Sequence, residues 1–508
     1  MLTRIDLRCL PLALLAAGFP STGECAARLP GILSSHMVVE RERPIHIWGW
    51  ADPGEKISVA FHGSARDTAA NGLGNWSVYL PPEPAGGPYQ LTVSGDRTIV
   101  LDDVLVGDVW FASGQSNMEM PLKGFPGGPL KNSAEEIAKA NQPQLRLLMI
   151  PRKAADYPLV NADASWTVCS PETAANFSAA AYFFGREIAA REHVAVGLID
   201  STWGGTVAEA WMSLEGISTD AGLMPLFASR ARMMESQAEN VAILAAEKRE
   251  DEAARREGRQ PQSHPWRPDP ASWAPSALFN GMVAPVAGFG IKGVIWYQGE
   301  SNSRAGFAPM YAKIFPALIA DWRARWHEGD FPFLFVQIAN FKSSENEAWP
   351  VIREAQRRTL SVANTAMVVT ADIGDPDNVH PADKQTVGAR LALAARALAY
   401  GENVEYSGPL FRQATPESGR MRVWFDHAAD GLAAKGSALE GFEVAGENGR
   451  FVSAEARIDG KTVIVGDVGV PEPKYVRYGW ANSPVVNLYN SAGLPASPFT
   501  SQDAIPAP

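Results

Sequence analysis

At 508 residues the chain is long enough for two or three domains and a large core, and its 46% hydrophobic and 20% charged content is that of an ordinary globular protein. A formal net charge of −11 gives no basic face for nucleic acid and mainly favours solubility.

Residues 1–27 stand apart. Arg4 and Arg8 precede the short apolar run LPLALLAAGF, and small residues follow in STGECAA. This is the pattern of a secretory signal peptide, cleaved after Ala27, and it predicts a secreted or periplasmic protein. The run is too short to span a bilayer, and no later segment is apolar and long enough to do so. Cys9 and Cys25 fall within the leader, so the mature chain keeps only Cys169; that excludes an intramolecular disulfide and disfavours a cysteine metal site.

From 28 to 103 the chain reads as a β-sandwich-like accessory region. KISVAF, NWSVYL and YQLTV alternate apolar and polar residues between the turn signals ADPGE, NGLGN and PPEPAGGP. From 104 to 405 near-continuous apolar runs recur: DVWFAS, VAVGLID, GVIWYQG, FPFLFVQIA and AMVVTADI. Such runs suit parallel strands buried on both faces, and the helical stretches between them predict an α/β sheet with right-handed crossovers. A helical insertion is expected over about 215–275, where the alanine-rich, charged run Leu226 to Glu257 ends at Gly258; it reads as a solvated helix rather than a lid. Residues 406–508 return to β signals in MRVWF, FEVAG, KTVIV and YVRYGWA.

In an open α/β sheet ligands bind beyond the carboxyl ends of the strands, so the residues after each strand carry the argument. Four strands run into polar loops: GQSN, STWGGT, ESN and GDPDNVHP. Any one of these suits a plain turn, and GQSN is also a ready helix cap. Together they offer the parts of an acyl-transfer site. Ser116 is a nucleophile if a base takes its proton. His380, alone among eight histidines, follows a predicted strand end in such a loop. Asp377, three residues earlier, is the carboxylate expected to orient the imidazole, with Asp375 and Asp372 as rivals. The N–H groups of Ser116 and Gly205 and the side-chain amide of Gln298 are the expected oxyanion donors. Gln298 could equally be a core amide, and Gly205 a turn glycine.

GQSNM, WGGT, LFNGM, WYQGESN and the late GD…HP loop resemble the sialate O-acetylesterase family of the SGNH/GDSL hydrolase superfamily. The similarity extends to HIWGWADPGE near the start and to VRYGWANSP and NLYNSAGLPASPF in the tail. The resemblance implies a flavodoxin-like three-layer α/β/α hydrolase domain flanked by β regions. It implies serine esterase chemistry on acetylated carbohydrates, with no cofactor and no metal. It matches Ser116 to the nucleophile, His380 to the base and Gly205 to the second oxyanion donor, and it puts Gln298 where many relatives of the superfamily carry asparagine. Asn378 stands where an aspartate often lies in the family, whereas Asp377 keeps the spacing of the superfamily. Glu300, Asp375 and Asn117 are expected to support the site. Acetyl groups on sialic acid or on xylan or xyloglucan are both compatible substrates. Two rival readings are an inactive carbohydrate-binding protein, since 15 tryptophans allow sugar stacking, and a glycoside hydrolase using Glu300 and Asp375.

Overall fold

The computed structural model describes residues 27–262, 264 and 269–505, leaving aside the side chains of 229–240. The predicted leader lies outside the described residues except for Ala27, which packs fully buried in the core. No helix among the described residues is long and apolar enough to cross a membrane.

The centre is a sheet of six parallel strands: β1 (Thr98–Gly114), β2 (Gln142–Met149), β3 (Ala195–Thr202), β4 (Gly293–Tyr297), β5 (Phe333–Val336) and β6 (Thr365–Val368). Their spatial order is β6-β5-β4-β1-β3-β2. The apolar runs do what continuous hydrophobicity dictates: every residue of β3 and β4 is buried. Because side chains alternate across a strand, successive residues feed two separate cores. Val109, Phe111, Trp296 and Phe335 pack on one face. Trp110, Ala112, Tyr297 and Val336 pack on the other.

Helices cover both faces, making three layers. The helix α1 (Ser116–Glu119) is a single turn; α2 (Ala179–Glu192), α3 (Pro225–Arg256), α4 (Tyr311–Trp326), α5 (Trp349–Thr359) and α6 (Lys384–Leu398) follow. Trp322 and Trp326 of α4 lie in the first core. Phe183 of α2 and Leu391 of α6 lie in the second. The expected insertion contains α3, which covers nearly the run read as helical from the sequence and ends just before Gly258.

β2 was not expected from the sequence. Its run QPQLRLLM begins polar and carries Arg146 in the middle, which breaks the apolar signature. That guanidinium is buried and makes a two-pronged pair with Asp103, at 3.0 and 3.1 Å.

β1 has two lives. Its first half pairs antiparallel with Gly86–Ser94, and its second half runs parallel between β3 and β4. The strand is continuous across position 103. After β1 the chain moves to one side for β2 and β3, then to the other for β4. A crevice opens where the direction reverses, at the end of β1. Thr202 of β3 and Tyr297 of β4 both stand in register with Gly114 there. Gly114 has φ +132°, and any β-carbon would strike the Tyr297 carbonyl, so only glycine fits.

The C-terminal strands form two four-stranded sheets and a two-stranded one. They enclose a small core of their own that includes Val423, Val444, Val465, Tyr478 and Phe499. The tail also grips the central layer through Arg353 of α5, which is fully buried. Its guanidinium donates to the carbonyls of Ile338 and Ala339 and, from the tail, of Ala481 and Asn482, all at 2.8–2.9 Å. Burial pushes this group down to about 9. Asn482 adds its side-chain oxygen as acceptor for the Trp349 N–H, at 3.1 Å. Phe341 and Trp349, on the loop and helix so held, face the crevice.

Candidate active site

The crevice is a cavity of about 1100 Å³ lined by Ser116, Gly204, Gly205, Glu300 and His380, with a wall of Phe125, Trp203, Trp273, Phe341 and Trp349. Three of the four polar loops read from the sequence place their expected chemical group on it. The fourth, after β4, lines it with Glu300, but the amide expected there, Gln298, stays off the cavity.

Ser116 opens α1. The turn is held by Gln115, whose N–H donates to Tyr297 O at 3.0 Å. The Gln115 side-chain oxygen accepts the Ser301 N–H at 3.2 Å and, more weakly, that of Gly299 at 3.4 Å. The Met118 and Glu119 N–H groups turn back to Gln115 O. The Ser116 N–H is left without a partner among the described residues, as the first N–H of a helix normally is.

The loop after β3 comes close to this turn: a β-carbon at Gly204 would sit 3.2 Å from Ser116 Cβ. Trp203 N–H donates to Gly114 O at 3.1 Å. Gly204 N–H donates to Glu119 Oε2 in a very short bond, while Glu119 Oε1 pairs with Arg152 at 2.5 Å. Burial raises the Glu119 carboxyl above its ordinary value, against the pull of Arg152. Gly205 O accepts the Trp273 indole N–H at 2.6 Å. The peptides on either side of the Gly204–Gly205 bond are thus tied down. Gly205, at φ +73°, keeps an N–H with no partner among the described residues. Glu119, Arg152 and Trp273 were not anticipated from the sequence. Trp273 comes from within the expected insertion, and only the fold shows that it returns here.

His380 lies in the loop after β6. It is half-buried, with its ring edge-on to Phe125 at 5.1 Å between centroids. Burial, and then the neighbouring Lys384 cation, push the imidazole down to about 4. No side chain among the described residues hydrogen-bonds its ring.

Asp377 therefore needs correction as the orienting carboxylate. Its side chain is 83% exposed and pairs with Lys342 at 3.2 Å. The cause is local. Asp375 Oδ1 accepts the Asp377 N–H at 2.9 Å, and Asn378 N–H returns to Asp375 O at 3.3 Å. With this Asx-type turn the Asp377 side chain lies on the exposed rim of the cavity, paired with Lys342 and not with the His380 ring. Asp372, the other rival, is in a bidentate pair with Arg390 at 2.7 and 2.8 Å. Asp375 serves the turn and Glu300 bonds Asn117, so the two do not form a free carboxylate pair.

Gln298 also departs from the expected role. It is fully buried and does not line the cavity. Its Nε2 donates to Thr206 O at 3.1 Å and Asn302 Oδ1 at 2.6 Å, and its Oε1 accepts from Tyr311 Oη at 3.0 Å. With both amide hydrogens committed, it has none for an oxyanion. Gln298→Ala is expected to lower stability by about 2–4 kcal/mol, from the cavity and the stranded partners. The kcat per folded molecule should stay within about 10-fold, less than the loss of an oxyanion donor costs. Thermal melts and active-site-normalised kinetics check this; an intact Tm with kcat down by a hundredfold would return Gln298 to the oxyanion role.

Asn117 and Glu300 do cluster at the site, Asn117 buried beneath it and Glu300 largely buried on the cavity lining. Asn117 Nδ2 donates to Glu300 Oε1 at 2.6 Å and to Val379 O at 3.0 Å. Burial raises the Glu300 carboxyl. Lys384 completes the group, with Nζ 2.7 Å from Asn117 Oδ1. Sequence reasoning passed over it. The available signal was a cation in the first turn of an apolar helix, where the helix dipole disfavours it.

Comparison with known proteins agrees with the architecture. Residues 265–397 match the family model described as carbohydrate esterase, sialic acid-specific acetylesterase. A sialate O-acetylesterase of Pongo abelii is 32% identical over 425 residues, covering 75% of this chain and 73% of that protein. The Mus musculus sialate O-acetylesterase is 28% identical, with 94% of each chain covered. Among solved structures, a carbohydrate acetylesterase from Xanthomonas citri superposes with TM-score 0.81 at 36% identity, over 94% of this chain and 100% of that one.

Proposed function

Since this chain belongs to the sialate O-acetylesterase family and is a carbohydrate O-acetylesterase, we propose that Ser116 is its nucleophile and His380 its general base. Ser116 Oγ attacks the acetyl carbonyl carbon as His380 takes the hydroxyl proton. The carbonyl π electrons move to oxygen, and the Ser116 and Gly205 N–H groups receive the oxyanion. Collapse expels the sugar oxygen, to which His380 returns the proton. Water, deprotonated by the same imidazole, then releases acetate from the acetyl-enzyme. The observation that carries this reading is that Ser116, His380 and Gly205, whose N–H has no partner among the described residues, line one cavity.

The substrate is an O-acetylated sugar, with acetylated sialic acid and acetylated xylan or xyloglucan as the two classes. The five aromatic side chains of the wall support sugar binding by stacking. The leader over residues 1–27 would deliver the enzyme to the periplasm or the exterior.

The test is acetate release from a panel of an aryl acetate, O-acetylated sialic acid, acetylated xylan and acetylated xyloglucan. Acetate is expected from the aryl ester and from at least one carbohydrate, and the largest kcat/KM names the class. Carbohydrate binding with no acetate from any of the four would favour the inactive binding protein instead.

A further inference from the structure

We propose that Lys384, acting through Asn117, is the positioning residue that holds His380 in the cavity opposite Ser116, in place of a carboxylate on the ring. The inference rests on the reading of Ser116 and His380 as nucleophile and base. Lys384 Nζ donates to two acceptors: Asn117 Oδ1 at 2.7 Å and the Pro381 carbonyl at 3.0 Å. Asn117 Nδ2 in turn donates to the Val379 carbonyl at 3.0 Å. Val379 and Pro381 are the chain neighbours of His380, so the backbone is gripped immediately before and after the base. Asn117 is also the chain neighbour of Ser116. One buried unit therefore joins the nucleophile's turn to the base's loop and sets the spacing between them.

The unit is built at an electrostatic cost. Lys384 is fully buried, Asn117 is 1% exposed and Glu300 8%. Burial drives the ammonium down to about 7, with Glu300 and Asp383 opposing the shift. The Tyr297 ring lies against it, with Nζ 5.5 Å from the centroid, and Arg353 is the other cation acting on Glu300. An apolar side chain would fill the same space without that cost. The ammonium also lies in the first turn of α6, where the macrodipole is unfavourable to it. What the lysine supplies that a methionine could not is the pair of hydrogen bonds and the charge. The same charge, standing beside His380, favours the neutral imidazole that a base must be.

The experiment compares full-length wild type, Lys384→Met, Lys384→Gln, Asp377→Asn and Ser116→Ala, with Tm and near-ultraviolet circular dichroism as checks of folding. An aryl acetate gives kcat and KM, and kcat/KM is followed from pH 3 to 8. Lys384→Met should lose about 10- to 100-fold in kcat with KM within about threefold, the scale expected for a misplaced catalytic group. Its acid limb should move up from near 4, because the cation beside His380 is gone. Lys384→Gln keeps an amide donor for Pro381 O, so it should recover much of kcat while the limb stays raised. Asp377→Asn should keep kcat within about threefold. A Lys384→Met enzyme with wild-type kcat and an unmoved limb overturns the proposal. So does a hundredfold loss in Asp377→Asn, which would put the carboxylate on the ring. If Lys384→Met does not fold, an unmoved limb in Lys384→Gln overturns it equally. Activity surviving in Ser116→Ala would instead overturn the underlying reading.

Discussion

Ser116→Ala is expected to reduce acetate release by about 10⁴-fold or more while leaving the fold untouched. Both halves follow from the site. Among the described residues the Ser116 hydroxyl has no hydrogen-bond partner, and the side chain lines the cavity, so its removal strands nothing and empties no core. Alanine is a good residue for the first turn of a helix, and the Met120 N–H bond to the residue 116 carbonyl does not depend on the side chain. Tm should therefore stay within a degree or two. The chemical loss is large because the covalent route ends with the nucleophile, and only the oxyanion donors and binding remain to help water attack. Acetate assay and a thermal melt on the same preparation decide it. Retained activity would make room for a carboxylate-driven reaction.

The second large effect is at His380. His380→Ala should cost about 10³- to 10⁴-fold in kcat, and adding Ser116→Ala to it should cost little more, since the two act as one unit. The wild-type pH profile carries a sharper expectation. A base must be neutral, and His380 in the folded protein takes up its proton only near 4. The kcat/KM should thus be flat from neutral pH down to about 5 and fall as pH drops through about 4. A histidine at its ordinary value would lose activity already below about 6.5. An acid limb centred near 6.5 in enzyme shown to remain folded would mean that the ring is better solvated, or nearer a carboxylate, than the structure has it.

The strands of the central layer were legible because burial on both faces forces unbroken apolar runs, and the rule about strand ends then brought Ser116, Gly205 and His380 to one cavity. Direction within a loop was not legible. Three-residue spacing lets Asp377 reach His380 on paper, but whether it does depends on the turn that Asp375 closes with Asp377 and Asn378. Gln298 sits at a strand tip as expected, but its amide is buried and bonded to Thr206, Asn302 and Tyr311. Lys384 escaped notice because a lysine is ordinarily a surface residue, and nothing local in HPADK says that α6 carries it beneath the nucleophile.

The grip of Arg353 on the tail bears on how such genes can recombine. Two of the four carbonyls that satisfy this buried cation belong to Ala481 and Asn482, some eighty residues past the last strand and helix of the α/β layer. A crossover near residue 405 that brought in a foreign β tail would leave two guanidinium donors facing carbonyls of the wrong shape, behind the loop that carries Phe341. The YGWANSP segment is inherited usefully only with the α5 that it clasps. The tail of such an esterase should therefore descend with its catalytic layer rather than be traded as a module.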